Sequence, residues 1–317
     1  MKYVGKLLIG FIIFCCIFAI GQPLFYNRYY NSMQKEFKVE GLKNGVIPQG
    51  MTYVEEYDAW LYTNYMKNHS ASRLYVMKDG NYRFIELYTD EGIYDGHAGG
   101  ISYANDLVYI ASGGYGEDNC VYILSLSDVL NENINKIVMS QYFHPYTAAS
   151  YCYAHDDILW VGEFEDGGKF LTDKSHHIQG NRALLVGYDI NEQGLVDEKV
   201  DYVLSTGARV QGMAIDKEGR IAISTSYGII SSHLKLYSSL EKQEKYNYMI
   251  EYEEVPMWVL NNASCIFDVK SPQMAEGIVF KDERLYVIYE SATLKYFFGI
   301  LTKGRYVHSF DFFGLKI

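Results

Sequence analysis

The chain has 317 residues, 49% of them hydrophobic and 21% charged, enough to bury a full core and too little charge for bulk disorder. Its 28 basic and 39 acidic residues leave a net charge of −11 with no basic run to offset it, so no nucleic-acid partner is expected. Tyrosine is the unusual residue at 31 copies, most of them expected in strands with a buried ring and a wet hydroxyl.

At the N-terminus, Lys2 and Lys6 precede the apolar run Leu7 to Gly21, after which QPLFYNRYY turns polar and aromatic. This is the pattern of an export signal. The run is short beside the roughly 20 residues of a membrane span, and Ala19 and Gly21 offer small residues to a signal peptidase, whereas Leu24, Phe25 and Tyr26 extend it toward an interfacial belt. Two readings stay open. Residues 1–24 are a cleaved signal peptide or an uncleaved membrane anchor, 25–35 a linker, and 36–317 one domain outside the cytoplasm. The protein is then secreted, or held at the cell membrane facing outside.

From Val46 onward a short segment recurs: PQGMTY at Pro48, AGGISY at Ala98, AASYCY at Ala148, VQGMAI at Val210 and AEGIVF at Ala275. Its third residues are Gly50, Gly100, Ser150, Gly212 and Gly277, so the spacing is 50, 50, 62 and 65 residues. That length suits a four-stranded propeller blade with its loops. Each segment leads through a polar turn (EEYDA, ANDL, AHDDI, DKEGR, KDER) into a second strand rich in β-branched and aromatic residues, beginning near Trp60, Leu107, Ile158, Arg220 and Arg284. Third strands follow at Ser72, Cys120, Ala183, His233 and Arg305, and fourth strands at Tyr82, Lys136, Lys199 and Ser264.

The fifth repeat has no fourth strand of its own, because the chain stops at Ile317. The strand-like stretch 36–42 has no blade of its own. It is therefore expected to pair with 305–312, closing the ring and removing an open sheet edge. The expected fold is all-β, a propeller of five four-stranded blades, with six as the alternative if the long fourth repeat hides another. Five is preferred because Glu241 to Asn261 has few strand-like runs. Cys120, Cys152 and Cys265 lie in three different blades without metal-like spacing and are expected to pack as small hydrophobes, Cys120 with Cys152 being the pair to check.

In a propeller the first strand of each blade lines the central channel. The connection entering that strand and the one leaving the second strand meet on one face, where function gathers. The entering residues include Gln49, His97, Gln211 and Glu276; the leaving residues include Asn64, Glu163, Tyr227 and Glu290. Glu276, Glu163 and Glu290 are hard oxygen ligands able to hold Ca²⁺, Mg²⁺ or Mn²⁺, and His97 with Glu276 would then be catalytic, His97 as base. The competing reading has Gln49 and Gln211 bonding neighbouring backbones around a water-filled bore. Three long connections, with His176 and His177, Ser226 to His233, and Ser291 to Arg305, are expected to wall one side of the mouth.

The segments PQGMTY, HAGGISY, LWVGEF, VQGMAID with GRIAIS, and AEGIVF with RLYVIYES resemble the blades of exported bacterial propellers of the regucalcin/gluconolactonase and streptogramin-lyase-like superfamily, over Val46 to Phe312. In the gluconolactonase branch a glutamate, asparagines and an aspartate bind a divalent metal, and the resemblance implies that role for Glu276 alone. In the lyase branch a histidine acts as base near a metal, and the resemblance implies His97. Two functions follow as expectations. The first is an extracytoplasmic propeller binding a small polar or sugar-like ligand through Gln49, Asn64, Glu163, Gln211, Tyr227 and Glu290. The second is a divalent-metal-dependent hydrolase or lyase of the lactonase type.

Overall fold

A computed structural model describes residues 10, 21–113, 119–293, 295–296, 299 and 301–315. The apolar run from Leu7 lies almost wholly outside the described residues, and among those no helix is long and apolar enough to cross a membrane.

The strands form five sheets, each starting with one of the repeated segments: Val46–Val54, Gly100–Ala104, Tyr151–His155, Val210–Ile215 and Ala275–Lys281. Each pairs antiparallel with the next strand along the chain. The chain is a five-bladed β-propeller. The small residue of the repeat is explained by contact between these inner strands. A Cβ on Gly50 would meet the backbone of Gly100 and Ile101, one on Gly100 the backbone of Tyr151 and Cys152, and one on Gly277 the backbone of Gly50 and Met51. At these three glycines neighbouring blades touch main chain to main chain and no Cβ fits, whereas the contact is looser at Gly212 (3.1 Å) and the third blade carries Ser150 there.

Apolar side chains fill the spaces between blades. Leu61, Leu74 and Val76 of the first blade pack with Ile101, Val108 and Ile110 of the second, and Val121 of the second packs with Val161 and Val186 of the third. Cys152 lies in this second cluster, where burial pushes its thiol up to about 12 and leaves it a small hydrophobe.

The sequence reading fails at four places. The segment from Lys136 is not one strand: Lys136–Val138 pairs parallel with Asn81–Thr89 of the first blade, and only Tyr142–Phe143 completes the second. The stretch 241–261 holds a hairpin, Tyr246–Ile250 against Glu253–Val259, whose second strand extends the third blade parallel to Tyr202–Thr206. Val255, Met257 and Val259 are buried there. Charges and Pro256 between those apolar residues hid the alternation.

An N-terminal strand does pair beside Tyr306–Phe310, but it is Met33–Lys38, antiparallel with Met33 opposite Phe310, and of the expected 36–42 only 36–39 take part, the Val39 amide donating to the Arg305 carbonyl. It ends early because Gly41 takes a left-handed turn (φ 81°), where a side chain would collide with Val46 and Tyr75. Residues 25–35 are no linker either. Asn27–Ser32 is a short helix (α1) whose Tyr29 is fully buried among Phe310, Tyr289 and Leu234. Tyr29 is held by a chain of bonds. Nε2 of His308 donates to the Lys303 carbonyl (3.1 Å), so Nδ1 accepts from the Tyr29 hydroxyl (2.7 Å), which accepts from Tyr289 (2.6 Å).

Candidate functional site

The strand-order rule places two sets of connections on one face, and the main cavity opens there. It has a volume of about 510 Å³. Its floor is polar, with Gln49, Gln211, Ser226, Glu276 and Glu290; Tyr65 and His97 flank it, and Phe164, Phe170, Tyr227 and Tyr296 supply aromatic wall.

A local backbone irregularity aims the floor. The pairing register shifts between Pro48 and Met51, between Val210 and Gly212, and between Ala275 and Ile278, which are the places occupied by Gln49, Gln211 and Glu276. The second and third blades keep regular register and offer Gly99 and Ala149 instead. A β-bulge inserts one residue and re-aims its side chain. Three of the five inner strands thus turn a polar side chain to the mouth.

Glu276 and Glu290 form the centre. Glu276 is buried and is bonded by Ser226 Oγ (3.3 Å) and Gln211 Nε2 (3.4 Å). Glu290 opens the 3₁₀ turn Glu290–Ala292 and accepts from the Tyr65 hydroxyl (3.1 Å), which in turn accepts from Lys295 Nζ (2.7 Å). The two carboxyls bond each other and cannot both ionise in a buried site. Burial first, then the charge of Glu290, holds the Glu276 carboxyl well above the ordinary carboxylate range. Burial also raises Glu290, but Lys295, Tyr65 and His97 draw it back. The pair therefore holds one proton between its two carboxyls, with Glu276 the more strongly raised of the two. The ring of His97 leans on Tyr65, 4.4 Å between centroids.

Six of the residues picked from the sequence come together: Gln49, His97, Gln211, Tyr227, Glu276 and Glu290 all line the cavity. Two do not. Asn64 is buried in its sheet, where Nδ2 donates to the Arg73 carbonyl (2.9 Å). Glu163 faces away, accepting from His176 Nδ1 (2.8 Å) and the Leu184 amide (2.9 Å). His176 thus pins its long connection to the third blade and is not offered to the mouth. His177 meets Thr172 (3.1 Å) and lines nothing in the cavity.

The loss of Glu163 also removes the expected metal site. Two carboxyls remain, and among the described residues no group of three or more His, Cys, Asp or Glu side chains is set to hold a metal. A hard divalent cation takes six or more oxygen ligands, several of them charged. The residues present do not fit Ca²⁺, Mg²⁺ or Mn²⁺. Sequence reading missed Lys169, Phe170, Lys295 and Tyr296, all on the long connections. Their only signal was lysine beside aromatic residues, in GGKF and LKYFF.

No family model matches the chain, and no curated protein matches it. Similar solved structures include the PQQ-bound form of an aldose sugar dehydrogenase from Streptomyces coelicolor, 14% identical, covering 81% of this chain and 78% of that one at a TM-score of 0.45. Glutaminyl cyclase from Myxococcus xanthus is 7% identical, covering 88% and 94% at 0.45. A gluconolactonase-like protein is 10% identical, covering 88% and 91% at 0.42. All three are β-propellers, and at such identities the likeness assigns no activity to this chain.

Proposed function

We propose that the chain is an extracytoplasmic propeller that binds a small polar, sugar-like ligand at the channel mouth. One observation carries this reading: the cavity joins an aromatic wall, Phe164, Phe170, Tyr227 and Tyr296, to a floor of amides and carboxyls. A sugar ring has apolar faces that stack on aromatic rings and hydroxyls that need both donors and acceptors. Gln49 and Gln211 supply both kinds of group, and the Glu290 carboxylate accepts. The volume, about 510 Å³, falls within the range of small-molecule sites.

Ligand binding is tested by melting the protein with a panel of neutral monosaccharides, sugar acids and aldonolactones at about a hundred times a weak dissociation constant, which stabilises the fold by about 2.7 kcal/mol. At least one member should raise the melting temperature, and Gln211→Ala or Tyr227→Ala should abolish the rise. A panel without effect, or a rise unchanged in both variants, speaks against the site.

The pairing of Met33–Lys38 with Tyr306–Phe310 is, in the same reading, the device that closes the ring. Amide hydrogen exchange checks it: the amides of 33–38 should exchange as slowly as those of the inner strands, and exchange at the rate of a frayed terminus would refute closure.

A further inference from the structure

The cavity face also carries the most exposed aliphatic side chains. Among the described residues those more than 70% exposed are Leu24 (78%), Leu171 (72%) and Ile229 (75%). Leu171 follows Phe170 in the connection from the second to the third strand of the third blade. Ile229 and the half-exposed Ile230 follow Gly228 in the equivalent connection of the fourth, and both connections line the cavity. Leu24 lies two residues before Tyr26, the N-cap residue of α1. The Tyr26 hydroxyl bonds Ser231 Oγ (3.0 Å), one residue beyond Ile230, and the Tyr30 hydroxyl donates to the Thr302 carbonyl (3.0 Å) in the corresponding connection of the fifth blade. The N-terminal end of α1 therefore stands at the rim of the mouth. Gln22 is buried there, and directly before it runs the apolar segment Leu7 to Gly21.

We propose that the cavity mouth lies against a lipid bilayer, with Leu24, Phe25, Leu171, Ile229 and Ile230 seated in the headgroup region and the apolar segment held in the membrane beside them. The place where the apolar run meets the folded domain singles out this occupant. A chain inserted at the rim holds that rim close to the membrane, and aliphatic side chains that cost free energy in water gain it in the interface. The charge agrees. Lys169, Lys270, Lys295 and Lys303 are exposed on the side of the third, fourth and fifth blades, with Asp173 among them, whereas the exposed Asp90, Glu91 and Asp95 lie on the connection entering the second blade, away from α1. Lysines beside an interface favour anionic lipid. The ligand then enters from the narrow space between propeller and bilayer. This inference rests on the apolar segment remaining uncleaved, and it extends the ligand-binding reading by giving the direction of entry.

The test uses the full chain in vesicles of phosphatidylethanolamine and phosphatidylglycerol, with the photo-crosslinker p-benzoylphenylalanine placed by Ile230→p-benzoylphenylalanine, Leu171→p-benzoylphenylalanine or Tyr252→p-benzoylphenylalanine. Tyr252 is 96% exposed and sits at the turn before Glu253–Val259, which runs parallel to Tyr202–Thr206 and so begins on the opposite face. Irradiation should yield lipid adducts at 171 and 230, at least five times those at 252. Equal yields at 230 and 252, no adduct at 171 or 230, or recovery of a soluble chain cut near Gly21 would each overturn the proposal. Failure of the sugar panel would leave the adduct pattern unchanged, so the two readings fail separately.

Discussion

Glu276 is the residue with the clearest consequences. Burial and the charge of Glu290 hold its carboxyl well above the ordinary range, so the folded chain binds a proton that the unfolded chain releases above the ordinary value of 4.5. Stability therefore falls as pH rises from that value through the raised folded value, by at most about 1.4 kcal/mol per pH unit for one proton. Glu276→Gln keeps a neutral side chain of the same shape and removes this dependence. Its melting temperature should match the wild type near pH 4 and exceed it near pH 8; equal melting temperatures at both would show that Glu276 ionises freely. The sequence disclosed Glu276 because the residue before each small one differs between blades. It did not disclose that Glu163, also at a channel-mouth position, turns away to His176, since that depends on which rotamer a neighbouring loop allows.

Among the elements, α1 departs furthest from its reading in the sequence. NRYYNS looked like part of a linker because its helix is a turn and a half and its apolar surface consists of tyrosines. Its stability comes from Tyr29, which stacks on Phe310 at 5.4 Å and joins the bonds to Tyr289 and His308. Tyr29→Phe leaves Nδ1 of His308 without its donor and should cost about 1–3 kcal/mol by thermal or urea unfolding. No loss would mean that α1 is not docked. Burial lowers His308 to about 3, so it stays neutral in the fold while the unfolded histidine charges below its ordinary value of 6.5. The stability it supports is present above 6.5 and is lost as pH falls from 6.5 toward 3, a slope opposite to that of Glu276. Polar contacts 279 residues apart in sequence leave no local trace.

At the scale of the whole molecule, the five blades were legible because packing repeats while function does not. A residue without a Cβ is required where two main chains meet at Gly50, Gly100 and Gly277, and that requirement recurs with the blade. Gly277→Ala places a Cβ 2.5 Å from the Met51 amide and should cost about 1–3 kcal/mol as two blades are forced apart, whereas Gly207→Ala, with open space around it, should be near neutral. Equal effects would mean that the ring is looser than the inner contacts imply. The hairpin 246–259 and the parallel strand Lys136–Val138 were not legible, because both attach to outer edges where no spacing is imposed.

The central claim is that a small polar ligand sits between the aromatic wall and the carboxyl pair. A crystal structure of the protein soaked with the sugar that stabilises it most tests this directly. Density stacked on Tyr227 or Phe170, with hydroxyls within bonding distance of Gln49, Gln211 and Glu290, is the predicted result. A sugar bound elsewhere, with the mouth holding only solvent, would contradict it.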